Sequence, residues 1–341
     1  MKASVIIPAY NRPESLQRTL ESLLNLSSST TDFEIIVINN GDNPKIIEVA
    51  NNFAKNGLIN NIRYFFEENP GAMAARHRGV KESANDILVF IDEDIIVDKH
   101  WLSSILNAFS LNPNVAFVGG VCKPIYESPP PKWIEYFWDK TCDGGVILDA
   151  LSLFDYGENV KKIKPTSIWG CNYSVRKKVF KALGGFYPDN MPQILQVLQG
   201  PGESGLSWKA EQRGYEAIYE PKALVYHEIP TSRMTVEYFD SKYFYRGICI
   251  SFSEIRNNHK GSLKKERIKF GSYFSRTFRN KVSFRFQTND ANSEREMLMA
   301  RFKIMERAGY VFHQMMAEKH KSVLEWILRE DYLYCSTPRT I

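Results

Sequence analysis

Short apolar runs rich in β-branched residues alternate with amphipathic segments through the first half of the chain. This alternation is typical of a parallel sheet whose strands are joined by crossover helices. The leucines of residues 12–26, for example, recur at helical spacing and share one face. Strands are predicted at residues 4–8, 33–39, 62–67 and 87–91, and helices at residues 12–26, 44–56 and 71–83.

The second half of the chain is less regular. Residues 122–164 include the run Pro129-Pro130-Pro131 and are predicted to be irregular. From residue 236 onward the apolar positions return to helical spacing. We therefore expect an α/β domain with a mostly parallel central sheet over residues 1–235, followed by a helical extension over residues 236–341. Further strands are predicted at residues 115–121, 167–175, 217–219 and 223–227, and helices at residues 177–183, 205–213, 294–317 and 322–329.

The chain has 341 residues, of which 43% are hydrophobic, so it can bury a full core and is long for one compact domain. Its N-terminus runs directly into a predicted strand, and no apolar stretch approaches the roughly 18 residues of a spanning helix. We therefore expect a cytoplasmic protein. The five cysteines are scattered without paired spacing, which favours free thiols over a disulfide framework or a zinc site.

The net charge of +5 is unevenly distributed. Residues 241–341 contain 20 Lys+Arg and 10 Asp+Glu, which gives +10 there and leaves −5 for residues 1–240. The excess is concentrated in residues 256–285, where ten basic residues and one acid are interleaved with aromatic residues. An anionic membrane surface or a nucleic acid could contact such a face.

Polar residues follow several of the predicted strands. In an open α/β sheet, ligands bind beyond the carboxyl ends of the strands, where loops converge and helix N-termini point their partial positive charge. Four loops are therefore expected around one crevice, at residues 8–12, 39–42, 69–76 and 92–94.

The last of these loops carries two carboxylates. Asp92 and Asp94 leave an apolar strand two residues apart, so their side chains are expected to project to the same side. Such oxygen ligands suit Mg²⁺ or Mn²⁺ bridging a diphosphate. A triplet of this kind occurs about once by chance in a chain this long, so its weight comes from its place at the end of the strand.

Six stretches of the chain resemble the motifs of family 2 glycosyltransferases with the GT-A fold. In the first half they are SVIIPAYNRPESLQRTLESLL, EIIVINNGD, ENPGAMAARHRGV and ILVFIDEDIIVDKHWL. In the second half they are WGCNYSVRKKVFKALGGFYPD and GESGLSWKAEQRGYEAIYEPKALVYHE. The resemblance implies inverting transfer of a sugar from a nucleotide-diphosphate donor to an acceptor hydroxyl. Residues 1–120 would form the nucleotide-sugar half of the domain and residues 121–235 the acceptor half.

The resemblance also implies roles for individual residues. Asp94 and His227 match the positions that bind Mn²⁺ or Mg²⁺, and Arg76 is expected to pair with phosphate. Asn39 stands where the family commonly has an aspartate that contacts the base. A UDP-sugar is the favoured donor, but the amide of Asn39 offers donors as well as an acceptor and leaves the base open. The positions that match the nucleotide-sugar site are Pro8, Tyr10, Arg12, Asn39, Asn69, Gly71, Arg76, Asp92 and Glu93.

By the same resemblance the catalytic base is Glu203, placed just before a helix, with Gly205 where the family has a second acid. A carboxylate there can remove the proton of the acceptor hydroxyl as its oxygen attacks the anomeric carbon. Residues 200–202, Gly-Pro-Gly, suggest a loop that can move over the substrates. His77 fits a surface helix position as well as a ligand contact, and Trp169 fits a core role as well as sugar stacking. The acceptor side is expected to be lined by Trp169, Asn172, Gly185 and Phe186.

The expected acceptor is a glycan or a lipid-linked molecule of surface-glycan biosynthesis, such as polysaccharide or lipopolysaccharide. Residues 256–285 would then dock on the inner face of the plasma membrane. A sugar nucleotidyltransferase stays open as an alternative, although it calls for a glycine-rich basic loop where this chain has PAYNRPES. A nucleic-acid-binding protein with a silent front domain is the third possibility. The joint presence of Asp92, Asp94, Glu203 and His227 argues against it, so no nucleic-acid partner is expected.

Overall fold

A computed structural model provides the structure of the chain and describes residues 1–27, 33–55, 61–141, 144–258 and 291–338. Among these residues, no helix has the length and apolar character needed to cross a bilayer. Most of the predicted membrane-docking segment, residues 256–285, lies outside the described residues and stays a prediction.

An eight-stranded sheet forms the centre of the described molecule. Only two of its strands run against the others, because β12 (Tyr173–Arg176) pairs antiparallel with both of its neighbours and β11 (Lys161–Ile163) pairs antiparallel with β13 (Glu216–Tyr219). The prediction of a mostly parallel central sheet is therefore confirmed. In order across the sheet, the strands are β3 (Ile62–Phe66), β2 (Phe33–Asn39), β1 (Ala3–Ala9), β4 (Ile87–Phe90), β12 (Tyr173–Arg176), β6 (Val115–Gly119), β13 (Glu216–Tyr219) and β11 (Lys161–Ile163).

The central strands are buried because helices cover the sheet. Val5 on β1 lies opposite Ile35 on β2 and Val89 on β4, and all three side chains are inaccessible to solvent. Such continuous apolar runs are characteristic of parallel strands with both faces covered. The helices of this domain are α1 (Pro13–Leu24), α2 (Lys45–Lys55), α3 (Ala72–Glu82), α4 (Trp101–Leu111), α5 (Lys177–Ala182) and α6 (Gly202–Gln212).

A second sheet lies beside the first and was not predicted. The expectation that residues 122–164 are irregular is wrong, because this region contributes four of its strands. These strands are only two to five residues long, which is too short for local periodicity to carry much signal. Three of them form successive antiparallel pairs, and the fourth, Cys122–Tyr126, pairs with the distant segment Val225–Ile229. In order, the strands are β5 (Ile95–Val97), β14 (Val225–Ile229), β7 (Cys122–Tyr126), β10 (Leu153–Asp155), β9 (Val146–Leu148) and β8 (Asp139–Lys140).

Two boundaries near the crevice differ from the sequence prediction. Helix α6 begins at Gly202, so Glu203 lies in its first turn and not in a loop before it. The strand predicted from residue 167 begins only at Tyr173, after a short 3-10 turn at Gly170–Asn172. This turn is held by Glu203, whose Oε1 accepts a hydrogen bond from the Gly170 backbone N–H at 3.1 Å.

In its described residues the C-terminal extension is mostly helical, as predicted, with α7 (Val236–Asn258), α8 (Ala291–Lys319) and α9 (Lys321–Ile327). Helices α7 and α8 approach closely at two glycines. A Cβ built on Gly247 would lie 1.9 Å from the Glu306 carbonyl oxygen, and one on Gly309 would lie 1.9 Å from the Phe244 carbonyl oxygen. Only glycine permits this backbone contact.

The extension shares its core with the sheet domain. The ring of Phe239 on α7 lies 4.9 Å from that of Trp133, and Trp326 on α9 donates its Nε1–H to the Leu198 carbonyl at 2.8 Å. The predicted division at residue 235 falls in the connection between β14 and α7. These contacts make residues 236–258 and 291–338 part of one packed body with the sheets.

Candidate functional site

The acidic triplet Asp92-Glu93-Asp94 lies one residue beyond β4, at the carboxyl end of the central strands. Because β1 and β4 are parallel neighbours, the loop after β1 lies beside this acidic triplet. The Tyr10 backbone N–H donates to Glu93 Oε2 at 3.0 Å, and Arg12 Nε donates to Glu93 Oε1 at 2.9 Å. Two of the four predicted crevice loops are thus joined through one carboxylate.

Glu93 holds the loop after β1 in place through its contacts with Tyr10 and Arg12. It is almost completely buried, and burial raises its pKa although Arg12 and the Tyr10 N–H favour the charged form. Its expected contribution to the nucleotide site would therefore act through the two residues that it holds. The Tyr10 side chain, by contrast, is 60% exposed at the mouth of the crevice, where its ring is free to stack on a base.

Asp94 and His227 come together from different sheets. Asp94 Oδ2 and His227 Nε2 are 3.4 Å apart, and both side chains are buried. Two guanidinium groups contact the same carboxylate oxygen, Arg12 Nη1 at 2.6 Å and Arg233 Nη1 at 3.2 Å. Burial opposes the charged form of Asp94, but these two arginines outweigh it and hold its pKa below the usual range.

The pair of Asp94 and His227 fits a divalent cation. His227 Nδ1 lies 3.1 Å from the Leu151 carbonyl oxygen, which only accepts, and its Nε2 lies 2.9 Å from Arg233 Nη1, which only donates. Nδ1 therefore carries the proton, and Nε2 has a lone pair that can bind a metal ion once Arg233 releases it. The guanidinium groups of Arg12 and Arg233 already contact Asp94, which shows that a positive charge is favoured at this position. In the described part of the chain no group of three or more acidic, His or Cys side chains is arranged to hold an ion. The protein would therefore supply two ligands, and phosphate oxygens and water the others.

Arg76 is buried between carboxylates. Its Nη2 lies 2.5 Å from Asp92 Oδ1 and 3.1 Å from the Gly170 carbonyl oxygen, and its Nη1 lies 4.0 Å from Glu203 Oε2. Burial opposes the charged form of Arg76, but Asp92 and Glu203 outweigh it and raise its pKa. With 4% of its side chain exposed, Arg76 holds these acids in place. Its expected pairing with phosphate would require a phosphate to reach this almost completely enclosed guanidinium.

Glu203 has no second acid beside it on α6. A Cβ on Gly205 would lie 2.0 Å from Tyr187 Cδ2, so the ring of Tyr187 fills the place that a larger side chain would need. The Glu203 side chain is 22% exposed, and its Oε1 is held by the Gly170 N–H. This geometry leaves Oε2 directed toward Arg76 and the crevice.

Two predicted nucleotide-site residues organise neighbouring loops. Asn39 is 4% exposed; its side chain donates to the Tyr64 hydroxyl at 3.1 Å and accepts from the Gly41 N–H at 3.0 Å. Asn69 donates its side-chain amide to Glu67 at 2.6 Å. Both amides therefore already have protein partners, and Pro8 lies within β1 just before the exposed Tyr10.

Gly71 is required by the backbone. It has φ +110° immediately before α3, and a Cβ there would lie 2.9 Å from Met191 Sδ and 3.2 Å from the Asp189 carbonyl oxygen. A side chain at this position would be strained and crowded. Gly71 thus brings the start of α3, the helix that carries Arg76, against the segment around Asp189.

Two of the residues expected on the acceptor side lie beneath the crevice. Asn172 has no exposed surface; it accepts from Trp101 Nε1 at 3.0 Å and donates to two backbone carbonyls. Phe186 is also fully buried, 5.9 Å from the Arg76 guanidinium. Because neither reaches the surface, they can affect an acceptor only through the groups that they support.

The other expected acceptor-side residues are partly or fully enclosed. Trp169 is half-buried and packs 5.7 Å from Phe154. Gly185 has φ +76° and lies against His77. His77 Nε2 accepts a hydrogen bond from the Phe186 N–H at 2.9 Å. His77 is therefore a core residue, and the surface position that its helix suggested is wrong. Burial lowers its pKa to about 3.

The model of the family described as "Glycosyl transferase family 2" matches residues 4–184, more than half of the chain. The chain belongs to this family. A glucosyl-dolichyl phosphate glucuronosyltransferase of Haloferax volcanii is 24% identical over 251 residues, covering 72% of this chain and 75% of the relative. A poly-beta-1,6-N-acetyl-D-glucosamine synthase of Staphylococcus epidermidis is 25% identical over 235 residues. That match covers 67% of this chain and only 50% of the synthase.

Solved structures have the same fold as this family 2 glycosyltransferase. A mannosyltransferase from Pyrobaculum calidifontis, in complex with GDP-Man and Mn²⁺, superposes with a TM-score of 0.51 at 14% identity, over 97% of this chain and 84% of that one. TarS from S. aureus, residues 1–349 in complex with UDP, gives a TM-score of 0.51 at 14% identity, over 94% and 92%. The GT-A fold implied by the sequence motifs is confirmed.

Three residues at the site of this family 2 glycosyltransferase were not predicted from the sequence: Arg233, Asp189 and Lys242. Burial and the nearby Glu203 raise the pKa of Asp189 to about 7, and Lys242 on α7 partly opposes this. Asp189 is the last residue of the family-like stretch that ends in GGFYPD, and this position could have identified it as a candidate from the sequence. Arg233 and Lys242 belong to segments without a distinctive pattern, and only the fold brings them to the crevice.

Proposed function

We propose that this family 2 glycosyltransferase is inverting and metal-dependent, and that it moves a sugar from a nucleotide-diphosphate donor to an acceptor hydroxyl. The observation that carries the proposal is the position of Arg76. Its guanidinium lies 2.5 Å from Asp92 in the acidic triplet and 4.0 Å from Glu203 on α6. The expected base and the expected metal loop therefore belong to one polar network around a single crevice.

A nucleotide diphosphate is the proposed leaving group. The two structural neighbours are complexes with GDP-Man and with UDP, which supports a donor of this class. In this chain the exposed ring of Tyr10 would stack on the base, and Arg12 would face the phosphates from the start of α1. A UDP-sugar remains the favoured donor, and the amide of Asn39 keeps GDP-sugars as a second possibility.

Asp94 and His227 are the proposed ligands of Mn²⁺ or Mg²⁺. The Mn²⁺ in the mannosyltransferase complex supports a divalent ion of this kind. When bound, the ion would neutralise charge on the leaving diphosphate.

Glu203 is the proposed base. Its Oε2 would take the proton of the acceptor hydroxyl while that oxygen forms a bond to the anomeric carbon. The bond from the anomeric carbon to the diphosphate oxygen breaks, and the nucleoside diphosphate leaves with the electron pair. Attack from the side opposite the leaving group inverts the anomeric carbon. The Gly170 N–H fixes the orientation of Glu203, and Arg76 keeps Asp92 and Glu203 from repelling each other.

The proposed acceptor is a glycan or a lipid-linked molecule of surface-glycan biosynthesis. Relatives named as a dolichyl phosphate glucuronosyltransferase and a poly-N-acetylglucosamine synthase support this class. We place the reaction on the cytoplasmic side of the membrane, with residues 256–285 docking on anionic lipid. Residues 1–120 would bind the donor and residues 121–235 the acceptor.

A panel of UDP- and GDP-sugars tests the proposal. Thermal stabilisation and slow donor hydrolysis are measured with Mn²⁺, with Mg²⁺ and with EDTA, for the wild type and Asp94→Asn. We expect one nucleotide class to stabilise the wild type in the presence of metal and to release nucleoside diphosphate. Asp94→Asn should lose about tenfold or more in metal-dependent affinity, whereas Glu14→Gln on the surface of α1 should not.

Two outcomes would contradict the proposal. Donor binding that survives both EDTA and Asp94→Asn would remove the metal role of Asp94 and His227. Release of pyrophosphate, with a sugar phosphate and a nucleoside triphosphate as substrates, would identify a nucleotidyltransferase instead.

A further inference from the structure

Arg233 contacts both of the proposed metal ligands. Its Nη1 lies 2.9 Å from His227 Nε2 and 3.2 Å from Asp94 Oδ2. We propose that Arg233 is a positioning residue that exchanges partners: it holds Asp94 and His227 when no ion is bound, and it moves to the donor diphosphate when an ion binds. This inference rests on the proposed function, since it requires a diphosphate donor and a divalent ion.

The exchange follows from the single lone pair that a neutral imidazole ring can offer. His227 Nδ1 faces the Leu151 carbonyl oxygen, which only accepts, and Nε2 lies 2.9 Å from Arg233 Nη1, which only donates, so Nδ1 carries the proton and Nε2 offers its one lone pair. A guanidinium has donors only, so the contact between Arg233 and Nε2 uses that lone pair. The same lone pair cannot bind a metal ion at the same time. Binding of an ion to His227 must therefore break the contact with Arg233.

Arg233 is also placed to move, whereas Arg12 is not. Arg12 Nε donates a hydrogen bond to Glu93 Oε1 at 2.9 Å. Arg12 therefore stays bound to Glu93 when Asp94 binds an ion. Within the described residues, Asp94 is the only carboxylate within 4.0 Å of the Arg233 guanidinium. Arg233 ends the short 3-10 turn Thr231–Arg233 between β14 and α7, and its side chain is 24% exposed.

The position of Arg233 defines what it would bind next. A released guanidinium remains within a side-chain length of Asp94 and His227, so it lies beside any diphosphate that shares their ion. Guanidinium groups bind phosphate through two parallel hydrogen bonds. Arg233 would thus add positive charge to the leaving group on the side facing α7.

Arg233→Met tests the exchange, because it removes the guanidinium but keeps the length of the side chain. The affinity for Mn²⁺ alone is measured by calorimetry, and the affinities for UDP and GDP are measured at saturating Mn²⁺. We expect Mn²⁺ to bind about fivefold more tightly because its competitor is gone, and the favoured nucleoside diphosphate to bind about tenfold more weakly. An increase in Mn²⁺ affinity together with a decrease in nucleoside diphosphate affinity would identify the partner exchange.

Arg18→Met is the matched control. Arg18 pairs with Glu228, next to His227, at 2.5 Å on the surface, so the variant loses the same charge nearby without touching the crevice. It should leave both affinities unchanged. Repeating the measurements at about 1 M NaCl, where the Debye length is about 3 Å, removes long-range charge effects and should preserve both changes.

The outcomes separate the two proposals. If the wild type binds Mn²⁺ and a nucleoside diphosphate but Arg233→Met weakens both or changes neither, the partner exchange is overturned and the proposed function stands. Changes that disappear at high salt would also overturn it, since a direct contact would persist. If the wild type binds no nucleoside diphosphate with Mn²⁺, the proposed function fails and takes this inference with it.

Discussion

The ring of Tyr187 packs so closely on Gly205 that a Cβ at Gly205 would lie 2.0 Å from Tyr187 Cδ2. Gly205 stands in α6, two residues after the proposed base. The contact leaves no room at residue 205 for the second acid that the family's motif has there. Tyr187 is itself held between cations, since Lys209 Nζ and the Arg256 guanidinium lie 4.6 and 4.8 Å from its ring centre.

Gly205→Ala should destabilise the protein. Alanine favours an α-helix by about 1 kcal/mol relative to glycine, but overpacking costs about 1–3 kcal/mol, and a 2.0 Å approach lies at the severe end. We expect a net fall in melting temperature of about 2 °C or more. Ser204→Ala, at an exposed position in the same turn, should change it little. An unchanged or higher melting temperature for Gly205→Ala would show that Tyr187 can move aside.

Glu203→Gln should reduce sugar transfer by about 100-fold to 10,000-fold, the usual contribution of a general base. Glutamine keeps the shape and can still accept from the Gly170 N–H, so donor affinity should change less than about threefold. Initial rates and donor titrations measure the two effects separately. Glu211→Gln, further along α6 and paired with Thr166 and Lys164, is the control. Transfer by Glu203→Gln at near wild-type rates would assign the proton to another group.

Asp189→Asn should change how stability depends on pH. The pKa of Asp189 is raised to about 7, because burial and Glu203 disfavour its charge and Lys242 and Arg76 only partly offset this. Between its unfolded pKa near 4 and about 7, the folded state binds a proton that the unfolded state releases. This contribution to stability is therefore lost as pH rises through that window.

Because asparagine does not titrate, Asp189→Asn should gain stability relative to the wild type as pH rises from about 5 to about 8. Urea unfolding at both pH values measures the difference, and the comparison cancels other titrating groups such as His77. A difference in free energy of unfolding that stays constant with pH would show that Asp189 has an ordinary pKa in the folded protein.

Trp326→Ala should destabilise the whole described body and not the extension alone. Trp326 is 3% exposed, donates to the Leu198 carbonyl and packs 5.2 Å from Tyr332, so its loss should cost about 3–5 kcal/mol. Calorimetry should show one transition at lower temperature. Trp208→Ala, at a tryptophan that is 42% exposed, should cost about 1 kcal/mol or less. Two separate transitions would mean that residues 236–341 unfold as an independent domain.

Local sequence patterns predicted the elements that are long or continuous. The buried runs of β1, β2 and β4 and the helices between them were recognisable because parallel strands and amphipathic helices have strong periodicity. The short strands of the second sheet, apart from β14, were not, because two to five residues are too few to show a clear period. Asn172 shows the same limit at the level of one residue: its motif suggested the acceptor surface, but its amide is used to join Trp101 to two backbone carbonyls.

The sequence by itself determined the family, the central sheet and the identity of the acidic triplet, because these are carried by contiguous segments. Only the tertiary structure decided which groups meet at the triplet. Arg76 reaches Asp92 from α3, His227 and Arg233 reach Asp94 from the end of β14 and the turn after it, and each contact spans a separation in sequence that no local pattern encodes. Charges that are far apart along the chain interact strongly once the fold places them within about 4 Å in a buried crevice.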